Sequence, residues 1–293
     1  MKASTFTSKK LTKDSPFYSA LNKEQLAAYF RRVGFEEQPE CTFECLQRLH
    51  YLHSVSLPFE NFNPLLRIPI ALDQHSLFNK MVKQKRGGYC FEHNLLFGGV
   101  LSALGFEVTC LAARVMWQIP EDVIMPRDHQ LLLVDFGEGP YIADVGFGGN
   151  TPTSAFSLHK MEPQQTSHES FKISKDGDAY LLYIQVNNKW EPMYRFGFDE
   201  YLLPDFEVIN FYLCNHEKSM FVNHLFLAQT KEEGRYGLFD DQFSFHPVNG
   251  ETQKEKIPNF DQLIRKVETV FNIDVPNPTA LEQWFNHCNK IDQ

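Results

Sequence analysis

Cys90 follows two glycines, Gly87 and Gly88, and opens a run in which Phe91, Leu95, Leu96, Val100, Leu101 and Leu104 recur before Gly105. Three-and-four spacing ended by glycine is the pattern of an amphipathic helix. The sulfur therefore stands at or near a helix N-terminus, on backbone that can turn sharply. Unpaired N–H groups and the helix dipole stabilise an anion there, which lowers a thiol's pKa and favours thiolate. The same N–H groups could hold an oxyanion as a carbonyl is attacked. The alternative is a buried structural cysteine, the commoner fate of a free thiol. Local context alone leaves the two evenly matched.

A thiolate nucleophile needs a base that can return a proton, and a group that orients the base. Of the eleven histidines, His129 opens the apolar run Gln130 to Val134, which sets its ring at the rim of a sheet. Asp144 lies within Ile142-Ala143-Asp144-Val145, where a carboxylate is costly to bury unless paired. In an antiparallel hairpin the two face the same side under any even register shift. Direct opposition needs a turn centred between Phe136 and Gly137. A turn centred on Glu138 and Gly139 separates them by ~13 Å along the strand, at ~3.3 Å per residue. The sequence leaves both registers open, along with an exposed strand-start histidine and a turn-capping aspartate.

The elements that must position these residues change in period along the chain. Leu21 to Val33, Thr42 to Leu57 and Ser76 to Gln84 read as helices, the first stopped by Gly34. Phe106 to Trp117, His129 to Phe136, Tyr141 to Phe147, Tyr180 to Val186 and Trp190 to Phe196 read as strands. Beyond Pro204, Asp205 to Cys214, Pro258 to Phe271 and Pro278 to His287 read as helices, and Met220 to Leu227 and Tyr236 to Phe245 as strands. A helical N-terminal unit, a β-rich middle and an α/β C-terminal unit follow.

Composition bounds the function. The 293 residues carry a formal charge of -9 and are 43% hydrophobic, with 27 Phe. The acidic balance argues against nucleic acid or an anionic membrane as partner. No stretch approaches the ~20 apolar residues of a membrane span, and Met1 to Pro16 lacks the apolar block of a secretory signal. A cytoplasmic location is expected. The six cysteines form no CxxC and no zinc-spaced group, so no metal is expected. Cys41 and Cys45, one helical turn apart, read as small core residues.

Arg86-Gly87-Gly88-Tyr89-Cys90-Phe91-Glu92-His93-Asn94 resembles the RGGxCxExN signature of the arylamine N-acetyltransferases. Leu57-Pro58-Phe59-Glu60-Asn61 is similar to the family's PFEN element, and Ala113-Arg114-Val115-Met116-Trp117 to its ARVxW strand. His129 to Val134 resembles its HxLLLV strand and Asp144 to Gly148 its DVGFG turn. Asp205 to Asn210 and Ser219-Met220-Phe221 follow in the expected order. The likeness spans about Leu21 to Val275.

The resemblance implies an α+β fold of three domains with a cysteine-protease-like core: a helical bundle (1–87), the nucleophile helix with a β-barrel-like domain (88–200), and an α/β lid (201–293). It implies Cys90 as acyl-accepting nucleophile, His129 as base and Asp144 as orienter. Acetyl-coenzyme A would be the donor, and arylamines, arylhydrazines or N-hydroxyarylamines the acceptors, in a ping-pong route serving xenobiotic metabolism. Phe147, Gly148, Ser219 and Phe221 are the implied coenzyme A positions, and the protein a monomer or homodimer. Lys83, Lys85 and Arg86 form a basic cluster that could attract phosphates, and Trp117 is either a cleft wall or a core residue. Arg86, Glu92, Asn94, Glu60 and Asn61 are expected to hold the nucleophile's loop by buried hydrogen bonds. Two departures stand out: Asp128 replaces the common Thr or Ser before the histidine, and His93 replaces a common Gln. A cysteine hydrolase or transglutaminase-like enzyme uses the same Cys, His, Asp order and is the alternative. The gap of 39 residues between Cys90 and His129 is far shorter than the ~130–150 of papain-type proteases.

Overall fold

The computed structural model describes residues 20–291, so the expectation for Met1 to Pro16 lies outside the described residues. Helix α1 (Lys23–Val33) opens with a reciprocal cap, Asn22 and Gln25 each accepting the other's backbone N–H, and ends at Gly34. Helix α2 (Phe43–Ser56) is capped by Thr42 and buries Leu46, Leu49, His50 and His53. Cys41 is exposed and only Cys45 is buried, which corrects the reading of both as core residues. Strand β1 (Phe59–Glu60), helix α3 (Phe62–Leu65) and helix α4 (Gln74–Phe78) follow. The helix expected over Ser76 to Gln84 starts earlier, and from Asn79 to Lys83 it widens into a π-helical turn. Helix α5 (Cys90–Ala103) is buried on every side from Cys90 to Leu101, not on one stripe. Its polar residues must therefore find partners inside the protein.

The middle of the chain forms eight antiparallel strands: β2 (Glu107–Val115), β3 (His129–Asp135), β4 (Tyr141–Ala143), β5 (Phe156–Ser157), β6 (Gln164–Gln165), β7 (Ser170–Asp176), β8 (Ala179–Val186) and β9 (Lys189–Glu200). Their order is β5-β4-β3-β2-β9-β8-β7-β6. The two edge strands are drawn together by Gln164, whose amide accepts from Ser157 N–H and donates to Ser157 O, both at 3.0 Å. The sheet thus curls into a nearly closed barrel, filled by residues such as Leu111, Leu131, Phe156, Phe171, Met193 and Phe196. A barrel manages the exposed edges that an open sheet leaves unpaired.

Helices α6 (Leu203–Asn215) and α7 (Met220–Asn223) lead into strands β10 (Phe226–Lys231), β11 (Gly234–Phe239), β12 (Gln242–Pro247) and β13 (Gln253–Lys256), then helices α8 (Phe260–Val270) and α9 (Pro278–Ile291). Two expectations are corrected here. Met220 to Leu227 is a short helix and the start of β10, because Ser219 caps α7 by accepting Phe221 N–H. Tyr236 to Phe245 is two strands joined at Asp240-Asp241, with Asp240 at φ 52° in the left-handed region that a tight hairpin needs. Strand β1 joins this sheet, ordered β1-β10-β11-β12-β13. Leu225, Leu227, Leu238, Leu263, Val267, Phe271 and Leu281 close a second core between the sheet and helices α8 and α9. No described helix is long and apolar enough to cross a membrane.

Candidate active site

Cys90 is the first residue of α5, His129 the first of β3, and Asp144 the residue after β4; all three are buried. The Cys90 sulfur lies 3.9 Å from the carbonyl oxygen of Asp128, immediately before His129. His129 Nε2 is 2.7 Å from Asp144 Oδ2, so Nδ1 is the ring nitrogen left for other work. The hairpin register lies between the two considered. Leu132, Leu133 and Val134 pair with Ala143, Ile142 and Tyr141, centring the turn between Gly137 and Glu138. Asp144 is therefore two positions out of register with His129. It meets the ring because the chain leaves the ladder after Ala143.

Asp144 is held on every side. Its Oδ1 accepts from Asn94 Nδ2 and from the Gly146 amide, both at 3.0 Å, and its own N–H donates to His50 Nε2 at 3.2 Å. Asn94 also accepts Val145 N–H and donates to Gln130 O, so one helix side chain ties β3 to the turn after β4. Burial pushes the Asp144 carboxyl up, but His129 and the bonds from Asn94 and Gly146 outweigh it and hold it below the usual range. Burial pushes the Cys90 thiol well above its ordinary value, and the Asp128 charge adds to this. The amides of Gln130 and Phe91 pull the other way without reversing it. Desolvation thus opposes the lowering expected from the helix N-terminus.

The nucleophile's loop needs its glycines for space. A Cβ on Gly87 would sit 1.9 Å from Pro58 O, where Gly88 donates its N–H to Pro58 O and accepts Glu60 N–H. A Cβ on Gly146 would sit 2.9 Å from both Cys90 Cα and Cys90 O, so the turn after Asp144 rests directly on the start of α5. Beneath this lies a buried charge network. Arg86 binds Glu60 Oε1 through Nε and Nη2 at 3.0 and 2.6 Å, and Lys80 binds both oxygens of Glu92 at 2.7 and 2.9 Å. Glu92 in turn accepts Tyr89 N–H. Burial raises the Glu60 carboxyl, yet Lys80 and Arg86 bring it below its usual value. Glu92 stays raised, by burial first, with Glu60 adding to it against Lys80. Arg86 is consumed here, which corrects its place in a phosphate-attracting cluster.

Phe147 meets the His129 ring edge-on at 5.2 Å and packs on Tyr194. Gly148 has φ 85°, and the space beside its α-carbon is filled by Phe226 and Phe59, whereas Gly149 is open. Ser219 is buried, and its hydroxyl donates to Leu213 O at 2.5 Å. Phe221 lies against Phe59 and Tyr89, so Phe59 stands between Gly148 and Phe221. Asn61 fixes that side by donating to Phe221 O and His224 O and accepting Phe226 N–H. Trp117 packs half-buried against the barrel core. Among the described residues no His, Cys, Asp or Glu group is arranged to hold a metal.

Sequence reasoning missed His50, Lys80 and Tyr194, whose ring lies 5.2 Å from His129. His50 and His53, three apart on the Leu46-Leu49-Leu52 side of the helix, were the available signal for the first. The three-way tie at His93 was also missed. Its Nε2 lies 3.1 Å from Pro58 O, which makes it the donor, so Nδ1 receives His53 Nε2–H at 2.9 Å. Tyr29 OH then donates to His53 Nδ1 at 2.8 Å, and the whole string is neutral and buried.

A family model described as N-acetyltransferase matches residues 42–280. The arylamine N-acetyltransferase of Mycolicibacterium smegmatis is 37% identical over 254 residues, covering 85% of this chain and 92% of that protein. The Escherichia coli (strain K12) arylamine N-acetyltransferase is 34% identical over 248 residues, 84% of this chain and 88% of that protein. Among solved structures, that of M. tuberculosis arylamine N-acetyltransferase superposes with TM-score 0.85 at 36% identity, covering 89% of this chain and 99% of that one. The Mycobacterium marinum enzyme in complex with CoA gives TM-score 0.86 at 32% identity, with 89% and 98% covered.

Proposed function

Because the chain belongs to the arylamine N-acetyltransferase family, a family of acyltransferases, we propose that it carries an acetyl group from acetyl-coenzyme A, through a thioester on Cys90, to the nitrogen of an arylamine, arylhydrazine or N-hydroxyarylamine. The observation that carries this reading is the buried His129–Asp144 pair, 2.7 Å apart, beside a cysteine at the first position of α5. The M. marinum relative's complex with CoA supports the donor, and the Salmonella typhimurium relative is named for both arylamine N-acetylation and N-hydroxyarylamine O-acetylation.

As a donor thioester docks, His129 Nδ1 takes the Cys90 proton, and Asp144 at Nε2 stabilises the resulting imidazolium. The thiolate adds to the acetyl carbonyl, and the amides of Phe91 and Gln130, which bond towards the Cys90 sulfur, receive the oxyanion. Coenzyme A leaves as a thiolate and takes the proton back from His129. One thioester replaces another, so little free energy changes at this step. The amine then attacks acetyl-Cys90, gives a proton to His129, and expels the Cys90 thiolate, which is reprotonated. Phe147, Gly148, Ser219 and Phe221 would flank the donor; Gly148 is packed against Phe226 and Ser219 is bonded to Leu213 O, so the open backbone at Gly149 offers the room for an extended chain.

Steady-state kinetics test this. With acetyl-coenzyme A and an arylamine varied together, ping-pong transfer gives parallel double-reciprocal lines, and Asp144→Asn lowers kcat by ~10⁴ as a wrongly held imidazole should. Intersecting lines would reject a free acetyl-enzyme. Acetyl loss to water at the same rate with and without amine would point to a hydrolase instead.

A further inference from the structure

Asp128 stands immediately before the base His129, and its surroundings give it a use. Its carbonyl oxygen is 3.9 Å from the Cys90 sulfur, so the residue lies against the nucleophile. Its carboxylate Oδ1 is buried and has no hydrogen-bond partner. The neighbouring cations are engaged elsewhere or act only at a distance. Arg127 turns away to Asp199 and Tyr201, His129 is bound to Asp144, and Arg114 acts on Asp128 through charge. A buried carboxylate oxygen left open is costly, and native proteins keep few of them. Burial raises the Asp128 carboxyl, with the charge of His129 opposing, and when ionised its charge disfavours the thiolate at Cys90.

The second half of the reaction brings a donor to the unpartnered Oδ1. The attacking amine arrives beside the Cys90 sulfur with N–H groups and gains positive charge as its bond to carbon forms. His129 removes one proton. An arylhydrazine keeps a further N–H on its inner nitrogen, which an arylamine lacks. We propose that Asp128 is a specificity-determining residue whose open Oδ1 receives an N–H of the acceptor once Cys90 is acetylated, favouring arylhydrazines over arylamines. The inference rests on the acetyl-Cys90 reading above.

Phenylhydrazine and aniline share a ring and differ in the inner N–H, so their kcat/KM ratio at saturating acetyl-coenzyme A isolates the effect. Asp128→Thr is expected to lower that ratio about 10–100-fold, the scale of one hydrogen bond to a charged group. In the same variant, acetylation of Cys90, followed by quenched intact mass, accelerates because the adjacent negative charge is gone. Asp128→Asn, which keeps the shape and removes the charge, repeats the comparison should the threonine variant fold poorly. A ratio within about threefold of the native value, or equal losses with both acceptors, overturns the assignment. Failure of native Cys90 to acetylate at all instead overturns the ping-pong reading on which it rests.

Discussion

Replacing Gly146 by alanine tests how tightly the turn after Asp144 is set against the nucleophile. The added Cβ would lie 2.9 Å from Cys90 Cα, 2.9 Å from Cys90 O and 3.0 Å from His93 Cβ. Carbon atoms rest comfortably at ~3.5–4.0 Å, so the turn and α5 must part by roughly 0.5–1 Å. Two of the three obstructing atoms are backbone in the first turn of a buried helix, which cannot rotate aside. Overpacking of this kind costs about 1–3 kcal/mol, or a fall in Tm of ~2–10 °C for a chain of this size. Activity should suffer more. The Gly146 amide donates to Asp144 Oδ1, so the displacement falls on the carboxylate that orients His129, and a ~1 Å misplacement costs about 100-fold. The assay is kcat/KM for acetyl-coenzyme A alongside thermal unfolding, with Gly197→Ala in β9 as control, because nothing lies within 4 Å of its added Cβ. A Gly146→Ala enzyme with kcat/KM within about threefold of native would refute the reasoning.

Asn94→Ala removes one donor to Asp144 and the acceptor for Val145 N–H; kcat/KM should fall about 10–100-fold, the scale of a bond to a charged group plus a stranded buried amide, and unchanged kinetics would contradict this. Arg86→Met removes both guanidinium bonds to buried Glu60, leaving it Lys80 at 3.5 Å and the Phe62 amide, and should destabilise by up to about 3–5 kcal/mol in urea unfolding, with Glu60→Gln added in the same chain recovering part of the loss. Burial holds His50 and His93 at about 4 in the fold against 6.5 ordinarily. The unfolded chain therefore binds more protons between these values, and stability is full above pH 6.5 and lost as pH falls towards 4. Each histidine adds a slope of up to ~1.4 kcal/mol per pH unit in that window. The urea midpoint should drop from pH 7 to pH 5, and less steeply in His93→Gln; equal slopes would exclude His93 as a source.

Cys90 and His129 were legible because each carries a local signal: paired glycines before a helical run, and the start of an apolar strand. Asp144 was legible as a buried carboxylate, but its meeting with His129 was not, since Gly137 and Gly139, both at positive φ, mark a turn without fixing that its centre lies between Gly137 and Glu138. The sign of the Cys90 shift was misread because a helix N-terminus is visible in sequence while burial of α5 on all faces is not. Strands β5 and β6 are two residues each, and β13 is Gln-Lys-Glu-Lys with every side chain exposed, so none has a periodicity to find. Strand β7 did alternate, with Phe171 and Ile173 inward, but two apolar residues among lysines and serines made a weak pattern. The hairpin at Asp240-Asp241 hid inside a run of aromatics whose two strands share one composition. His50 could not be foreseen at Asp144, 94 residues away, because its contact is made by packing alone.

The most direct test of the central claim is the intact mass of the protein after brief exposure to acetyl-coenzyme A with no acceptor present. The account predicts a gain of about 42 Da located on Cys90, lost when an arylamine or hydrazine is added and absent from Cys90→Ala. An unmodified mass, with the Cys90 thiol still open to alkylation, would contradict it.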